Sequence, residues 1–367
     1  MDRSILLDLH RSAGARVSSG DAPSLLTYGD VPGEYRAALE DCAVFDESDR
    51  GLLEIGGADS ASFLHRILAS DVKSLQSGGG QRSLLLSSKG KVLFDFDLFR
   101  GPESLWISAP PGCASNLATA LENYHFAEKL EIAVVATHAP LAVCGPRAEN
   151  LVRAVVGTPL PADEHAWIRG SFEDSAIVLS RVPVAGSTGI RLDAGPERAS
   201  ALWNALRAAG ATPAGLVARD CLRVERGAAL FGADIDSNVY PQEARLEAAF
   251  SLTKGCYVGQ EVVAKIDTYG GLNKRLVALR ISHDDPVPRG TRLLREDEGE
   301  LRDLGVVTSW AYSFALNGGA ALGYVKRRHQ EPGTVFRLGE TAAEAVIVEF
   351  PIFTSAGPLT GSSRRDP

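Results

Sequence analysis

The last third of the chain narrows the possible folds most. After Gly270 the segments KRLVALRI, TRLLRE, RDLGVVTSWAYS, AALGYVKR, TVFRLG and AEAVIVEF follow one another. They are separated by turn residues such as Pro288-Arg289-Gly290 and Asn317-Gly318-Gly319. Short apolar runs punctuated this closely cannot be helices, and sequential strands of this kind hide their edges most simply by closing into a small antiparallel barrel. The remaining residues, GPLTGSSRRDP, read as a frayed tail.

The first 270 residues mix two periods. PGEYRAALEDC, from Pro32 to Cys42, reads as a short helix. In ASFLHRILASDV, Phe63, Leu64, Ile67 and Leu68 share one helical face, and Asp59 or Ser60 can cap its start. QRSLLLSS and KVLFDFDLF flank Lys89-Gly90 and read as a hairpin turning at Gly90. Along its second strand, Val92, Phe94, Phe96 and Leu98 point one way, and Leu93, Asp95, Asp97 and Phe99 the other. The two acids therefore share a face. It is either a solvated sheet surface or the wall of a cleft, where burial would suit a carboxyl to hold or move a proton.

Ser115 to Tyr124 reads as a helix, and Ile132 to Val135 and Leu141 to Cys144 as strands. SAIVLSRVPVAGSTGIRLDAG holds two strands, and ERASALWNALRAAGA is a helix closed by Gly210. In ARDCLRVERG, Asp220 is placed to cap a helical start, and Glu243 to Phe250 reads as a further helical turn or two. The first 30 residues are weakly patterned. Strands and helices in this order make an α+β protein, and 367 residues allow two or three domains.

Several function classes are disfavoured. A net charge of -8 argues against a broad nucleic-acid-binding surface. No apolar run reaches the roughly 18 residues of a membrane span, and the N-terminus lacks a secretion-signal core, so the expected compartment is the cytosol. GGADSAS and GGGQRS lack the spacing of dinucleotide or phosphate loops. Zinc-type ligand pairs are absent, His138 and His165 stand alone, and no metal site is expected.

Cys42, Cys113, Cys144, Cys221 and Cys256 are scattered, without a CxxC pair, so a disulfide framework is not expected. The first four read as small apolar filler. Cys256 lies in Lys254-Gly255-Cys256-Tyr257-Val258-Gly259-Gln260-Glu261. Lys254 is two residues away and a helix can start at Gly259, and both features favour thiolate. Cys256 is thus either a reactive sulfur or a passenger in a tight loop whose glycines serve the backbone.

The octet KGCYVGQE resembles the signature K-G-C-Y-x-G-Q-E of the YgfZ family of folate-binding proteins, relatives of the glycine cleavage T-protein, an aminomethyltransferase. CAVFDESDRGLLEIGGADSASFLHRILASDV, LAVCGPRA, RDCLRVERGAALFGADIDSNVYPQEA and LGVVTSWAYSFALNGGAALGYV resemble T-protein segments, so the likeness runs from about Cys42 to at least Val325. It implies three domains around a central folate-binding hole. Residues 1–51 with 139–240 form the first α/β domain, 52–138 with 241–270 the second, and 271–360 the C-terminal barrel. The cofactor implied is tetrahydrofolate or another reduced one-carbon folate. Glu225, in Arg223-Val224-Glu225-Arg226-Gly227, inherits the grip on the pterin, with Arg223, Tyr257 and Lys254 as further folate contacts. Asp95 and Cys256 are the candidate catalytic groups.

Two departures point away from aminomethyl transfer. Phe94-Asp95 stands where the T-protein pattern has Asp-Asp, and Val184 to Ile190 carries no glutamate where that pattern does. The resemblance therefore implies an accessory protein for assembly or maintenance of iron–sulfur enzymes, tRNA-modifying ones included. Its partners would be those enzymes or their assembly proteins, and it would act as a monomer. The alternatives are a folate-dependent aminomethyltransferase or one-carbon transferase, and a non-catalytic folate-sensing scaffold.

Overall fold

The computed structural model describes residues 5–20, 23–297, 299–354 and 357–358. Beyond Pro358 the expected frayed tail lies outside the described residues. The chain divides into two compact units. The first comprises residues 1–219, 236–241 and 246–270, and the second residues 220–235, 242–245 and 271–367. Among the described residues no helix is long and apolar enough to cross a membrane.

The second unit holds the barrel. Its strands run in the order Lys274–Ile281, Gly318–Lys326, Glu300–Ser313, Arg292–Asp297, Val335–Leu338 and Glu344–Val348. The last pairs antiparallel with the first, which closes the ring. Val277, Leu279, Leu293, Val307, Val325, Phe336 and Ile347 fill it. Each apolar segment expected to be a strand is one, so the α+β class with an antiparallel C-terminal barrel holds.

The first unit contains two larger sheets. One has six strands, ordered Trp167–Phe172, Ser175–Val184, Ser187–Asp193, Pro140–Cys144, Ala43–Asp46 and Thr212–Ala214. The helices Ala148–Val156 and Pro196–Ala208 bury Leu151, Val152, Leu202, Trp203 and Leu206 in one cluster with Val143, Leu179, Ile190 and Leu192 of this sheet. The other sheet has five strands, ordered Gly80–Leu86, Val92–Arg100, Ser104–Ala109, Gly51–Gly56 and Glu131–Val135. The helices Ser60–Ile67 and Ala114–Glu122 cluster with it through Phe63, Leu64, Ile67, Leu117 and Leu121, which meet Leu53, Ile55, Phe96, Leu98 and Ile107. Because side chains alternate along a strand, each sheet has one face in a helix-covered core and a second face free for other work.

Local expectations fail where a side chain finds a better partner. Asp59 precedes the helix Ser60–Ile67 but makes no capping bond. Its carboxylate accepts the Lys129 amide at 2.7 Å instead. Asp220 is not a cap either. It lies inside the helix Leu216–Arg226, where it accepts from Arg223 Nε at 2.5 Å. The helical turns expected over Glu243 to Phe250 shrink to one 3-10 turn, Glu247–Ala249. Arg245, at φ +60, is outside the helical region and stops the run.

Candidate functional site: a cleft between two sheet faces

The helix-free faces of the two large sheets line a cleft inside the first unit, with about 670 Å³ of space including its mouth. Leu52, Phe99, Trp106 and Ser108 come from the five-stranded sheet. Trp167, Arg169, Val178, Ser180, Arg191 and Asp193 come from the six-stranded one, and His138 completes the wall. Register explains the set: Trp167 pairs with Ser180, Ser180 with Arg191, and Val178 with both Arg169 and Asp193. Trp106 and Trp167 meet edge to face with ring centroids 4.9 Å apart. The apolar walls set with a few polar groups suit a planar ring with a polar edge.

At one side of the cleft the sheets are tied by charge. Arg191 Nη1 donates to Asp97 Oδ2 at 3.1 Å, and Arg191 Nε to Glu47 Oε2 at 2.8 Å. Glu47 also accepts from Arg219 at 2.6 Å. Asp97 faces His165 Nε2 at 3.2 Å and Arg50 Nη2 at 3.6 Å. Burial alone would raise both acids. For Glu47 the three arginines 191, 219 and 50 outweigh it and bring the carboxyl down to about 2. For Asp97 burial is outweighed by His165, Arg191 and Arg50, and the group lies far below the ordinary carboxylate range. Asp49, with fewer cations around it, is pushed up to about 6, mainly by burial and then by Asp46.

Asp95 and Asp97 do share a face, the one turned away from the helix-covered core, and neither is among the residues that line the cleft. Asp95 is buried and accepts two bonds from Arg82, one from Nε at 2.7 Å and one from Nη2. Phe94 points the other way and packs on the core cluster that holds Phe96 and Leu98. A carboxylate at position 94 would therefore project toward the helix-covered core, and Phe94 takes no charge away from the Asp95 face.

Lys254 does not serve Cys256. Its ammonium donates to the carbonyls of His65, Leu68 (2.6 Å) and Ser70 (2.9 Å), so it caps the C-terminal end of the helix Ser60–Ile67. Four orphan carbonyls and a negative dipole end are what a buried cation can satisfy. Gly259, at φ +80, begins the helix Gln260–Tyr269. A Cβ there would lie 2.5 Å from the Ser87 carbonyl and 2.9 Å from Gly90 Cα, so the octet and the hairpin turn pack backbone to backbone. Tyr257 is buried beneath Lys254, its ring centroid 5.1 Å from Nζ, and its hydroxyl has no hydrogen-bond partner. Cys256 is the one exposed cysteine of the five. Burial, chiefly, pushes the Cys42 and Cys221 thiols up to about 12.

Glu225 and Arg223 belong to the second unit and work inside it. Glu225 is fully buried and accepts from Ser313 Oγ at 2.6 Å and the Ala315 amide at 3.1 Å. Arg223 donates to Asp220, to Asp234 at 2.9 Å and to Ser309 at 2.9 Å. Of the predicted site residues, Asp95 lies on the face of its strand turned away from the helix-covered core, whereas Lys254, Tyr257 and Cys256 sit in the octet loop. Glu47, Arg50, Arg191 and the two tryptophans were not picked out from sequence. The available signal was the acid-rich FDESDRG turn after an apolar strand, and the odd Arg191 between Ile190 and Leu192.

Comparison with known proteins gives one consistent answer. Residues 26–254 match the family model of the GCVT N-terminal domain, and residues 274–353 that of the glycine cleavage T-protein C-terminal barrel domain. The aminomethyltransferase of Symbiobacterium thermophilum is 30% identical over 97% of this chain and 98% of its own. That of Halothermothrix orenii is 27% identical over 91% of this chain and 94% of its own. The crystal structure of glycine cleavage system aminomethyltransferase T from Bartonella henselae aligns with a TM-score of 0.85 at 25% identity, covering 97% of this chain and 99% of that one. These relatives overturn the placement in the YgfZ branch drawn from the octet. They also overturn the iron–sulfur and tRNA-modification reading built on it, and the weight given to the two departures against aminomethyl transfer.

Proposed function

Since the chain belongs to the glycine cleavage T-protein family, we propose that it is a folate-dependent aminomethyltransferase. In this reading it moves a one-carbon unit from an aminomethylated carrier to tetrahydrofolate and releases ammonia. The observation that carries the reading is the match to curated aminomethyltransferases over 91–97% of the chain and 94–98% of their own length. The cleft adds chemical support: tryptophan and phenylalanine walls suit a flat bicyclic ring, and Ser108 and Ser180 offer hydroxyls to its polar edge.

The roles of this chain's residues follow. Trp106, Trp167 and Phe99 bind and orient the ring and exclude water. Arg191, held between Glu47 and Asp97, fixes the spacing of the two sheets and hence the width of the cleft. Asp95, bonded to Arg82, is the carboxylate to which this reading assigns the holding of charge or a proton beside the reacting amine. Bound folate would supply the nucleophilic nitrogen that receives the carbon. This reading asks for no folate contact from Lys254, whose ammonium already serves three carbonyls. The test is formation of methylene-tetrahydrofolate from an aminomethylated carrier protein by the purified full-length chain. Turnover is expected in the ordinary enzyme range of about 1 to 1000 per second. No product above the uncatalysed rate, with the carrier shown to be loaded, would refute the proposal.

A further inference from the structure

His138 was read from sequence as a lone histidine, and the fold gives it a partner and a place. Its Nδ1 is hydrogen-bonded to Asp193 Oδ2. Asp193 is pinned in turn by the amides of Ala139 at 3.1 Å and Gly195 at 3.0 Å, both on Oδ1. Burial would raise this carboxyl, but the His138 bond and the two amides outweigh it and hold Asp193 below the ordinary carboxylate range. An ionised Asp193 only accepts, so Nδ1 is the donor of this bond, and in the neutral form of the ring Nε2 is left as the acceptor.

That nitrogen is the unusual feature. The His138 side chain is only 7% exposed and stands in the cleft wall. Nε2 is buried and has no hydrogen-bond partner among the described residues. Buried polar atoms are nearly always satisfied, so a buried acceptor left open at a cleft is a place where a ligand's donor fits. The ring is also locked: rotating it would break the bond to Asp193. A carboxylate-fixed imidazole is thus set into an otherwise aromatic wall, beside Asp193, Trp106 and Trp167.

We propose that His138, positioned by Asp193, is a ligand-recognition residue of this cleft, accepting a hydrogen bond through Nε2 from an N–H on the edge of a planar heterocycle. The proposal rests on the folate reading and adds a residue that selects ligands by a donor at this edge. Rings of similar size without an N–H there bind more weakly because they gain no bond to Nε2.

The experiment uses the full-length chain and 5-formyl-tetrahydrofolate, with calorimetry and 15N spectra of labelled histidine. In the wild type, saturating ligand should move the His138 Nε2 resonance, assigned by its loss in His138→Gln, and leave the His10 and His125 signals in place. His138→Leu should bind about tenfold more weakly. His138→Gln, which keeps an acceptor, should bind within about threefold of wild type. Ligand that binds while the Nε2 resonance stays still, or that binds His138→Leu as tightly as wild type, overturns the role of His138 and leaves the folate reading standing. Absence of binding to the wild type overturns both. Should His138→Leu fail to fold, the wild-type spectrum and the Gln variant decide alone.

Discussion

Lys254→Met separates the structural reading of the octet from a catalytic one. Lys254 is 8% exposed, and its ammonium faces three carbonyls rather than a carboxylate. Burial, the dominant cause, brings it down from 10.5 to about 8, with a smaller opposing effect from Asp71. The sign follows from which state holds the proton. Between about pH 8 and 10.5 the unfolded chain keeps the lysine charged while the folded chain releases the proton, so folded stability rises with pH across that window. The limiting slope is about 1.36 kcal/mol per pH unit, and titration from about pH 7 to about pH 9.5 yields a gain of about 2 kcal/mol.

Methionine removes the charge and the donors together. The three carbonyls left without a donor cost about 1–3 kcal/mol each where water cannot reach them, and this loss is the same at every pH. The stability difference between wild type and Lys254→Met, read by urea unfolding, should therefore widen by about 2 kcal/mol from about pH 7 to about pH 9.5. All other titrating groups cancel in that difference. Parallel pH profiles for the two proteins would show that Lys254 is not a buried cation and that the capping account is wrong.

Gly259→Ala should destabilise by about 2–4 kcal/mol, because φ +80 and a Cβ at 2.5 Å from the Ser87 carbonyl leave no room for a methyl group; thermal unfolding reads it. Cys256 should alkylate faster than the other four cysteines, with Cys42 and Cys221 slowest, by mass mapping against time. Cys256→Ser should leave both stability and aminomethyl transfer near wild type, since the thiol is exposed and the octet owes its form to Lys254 and Gly259. Arg191→Met takes the shared cation from Glu47 and Asp97, which keep Arg219 and His165, and should cost about 1–3 kcal/mol in unfolding free energy.

The barrel was legible because apolar segments follow one another there between turn residues such as Gly290 and Gly318. The hairpin at Gly90 was legible for the same reason. The helix Ala148–Val156 was missed. Its three valines suggest a strand, yet Ala148, Leu151, Val152 and Val156 are buried at helical spacing. The cleft could not be read from periodicity, because its ties span the chain: Asp97 meets Arg191 across 94 positions and Glu47 meets it across 144. Alternation did place Asp95 and Asp97 on one face but did not say which face a second sheet would cover. Lys254 misled through proximity. Two residues from Cys256 in sequence, it bonds to a carbonyl 186 positions away. The octet was therefore the strongest motif by eye, and its lysine and second glycine turn out to serve the packing of the loop.

The most direct test of the central claim compares wild type with Asp95→Asn in methylene-tetrahydrofolate formation from an aminomethylated carrier. Asparagine keeps the size and part of the Arg82 contact, so folding should survive while the carboxylate charge that the proposed reaction uses is lost. The account predicts turnover for the wild type and a loss of about 100-fold or more in kcat for the variant, with folate affinity within a few-fold. Equal kcat for the two proteins would contradict the role of Asp95, and absence of turnover in a folded, folate-binding wild type would contradict the transferase itself.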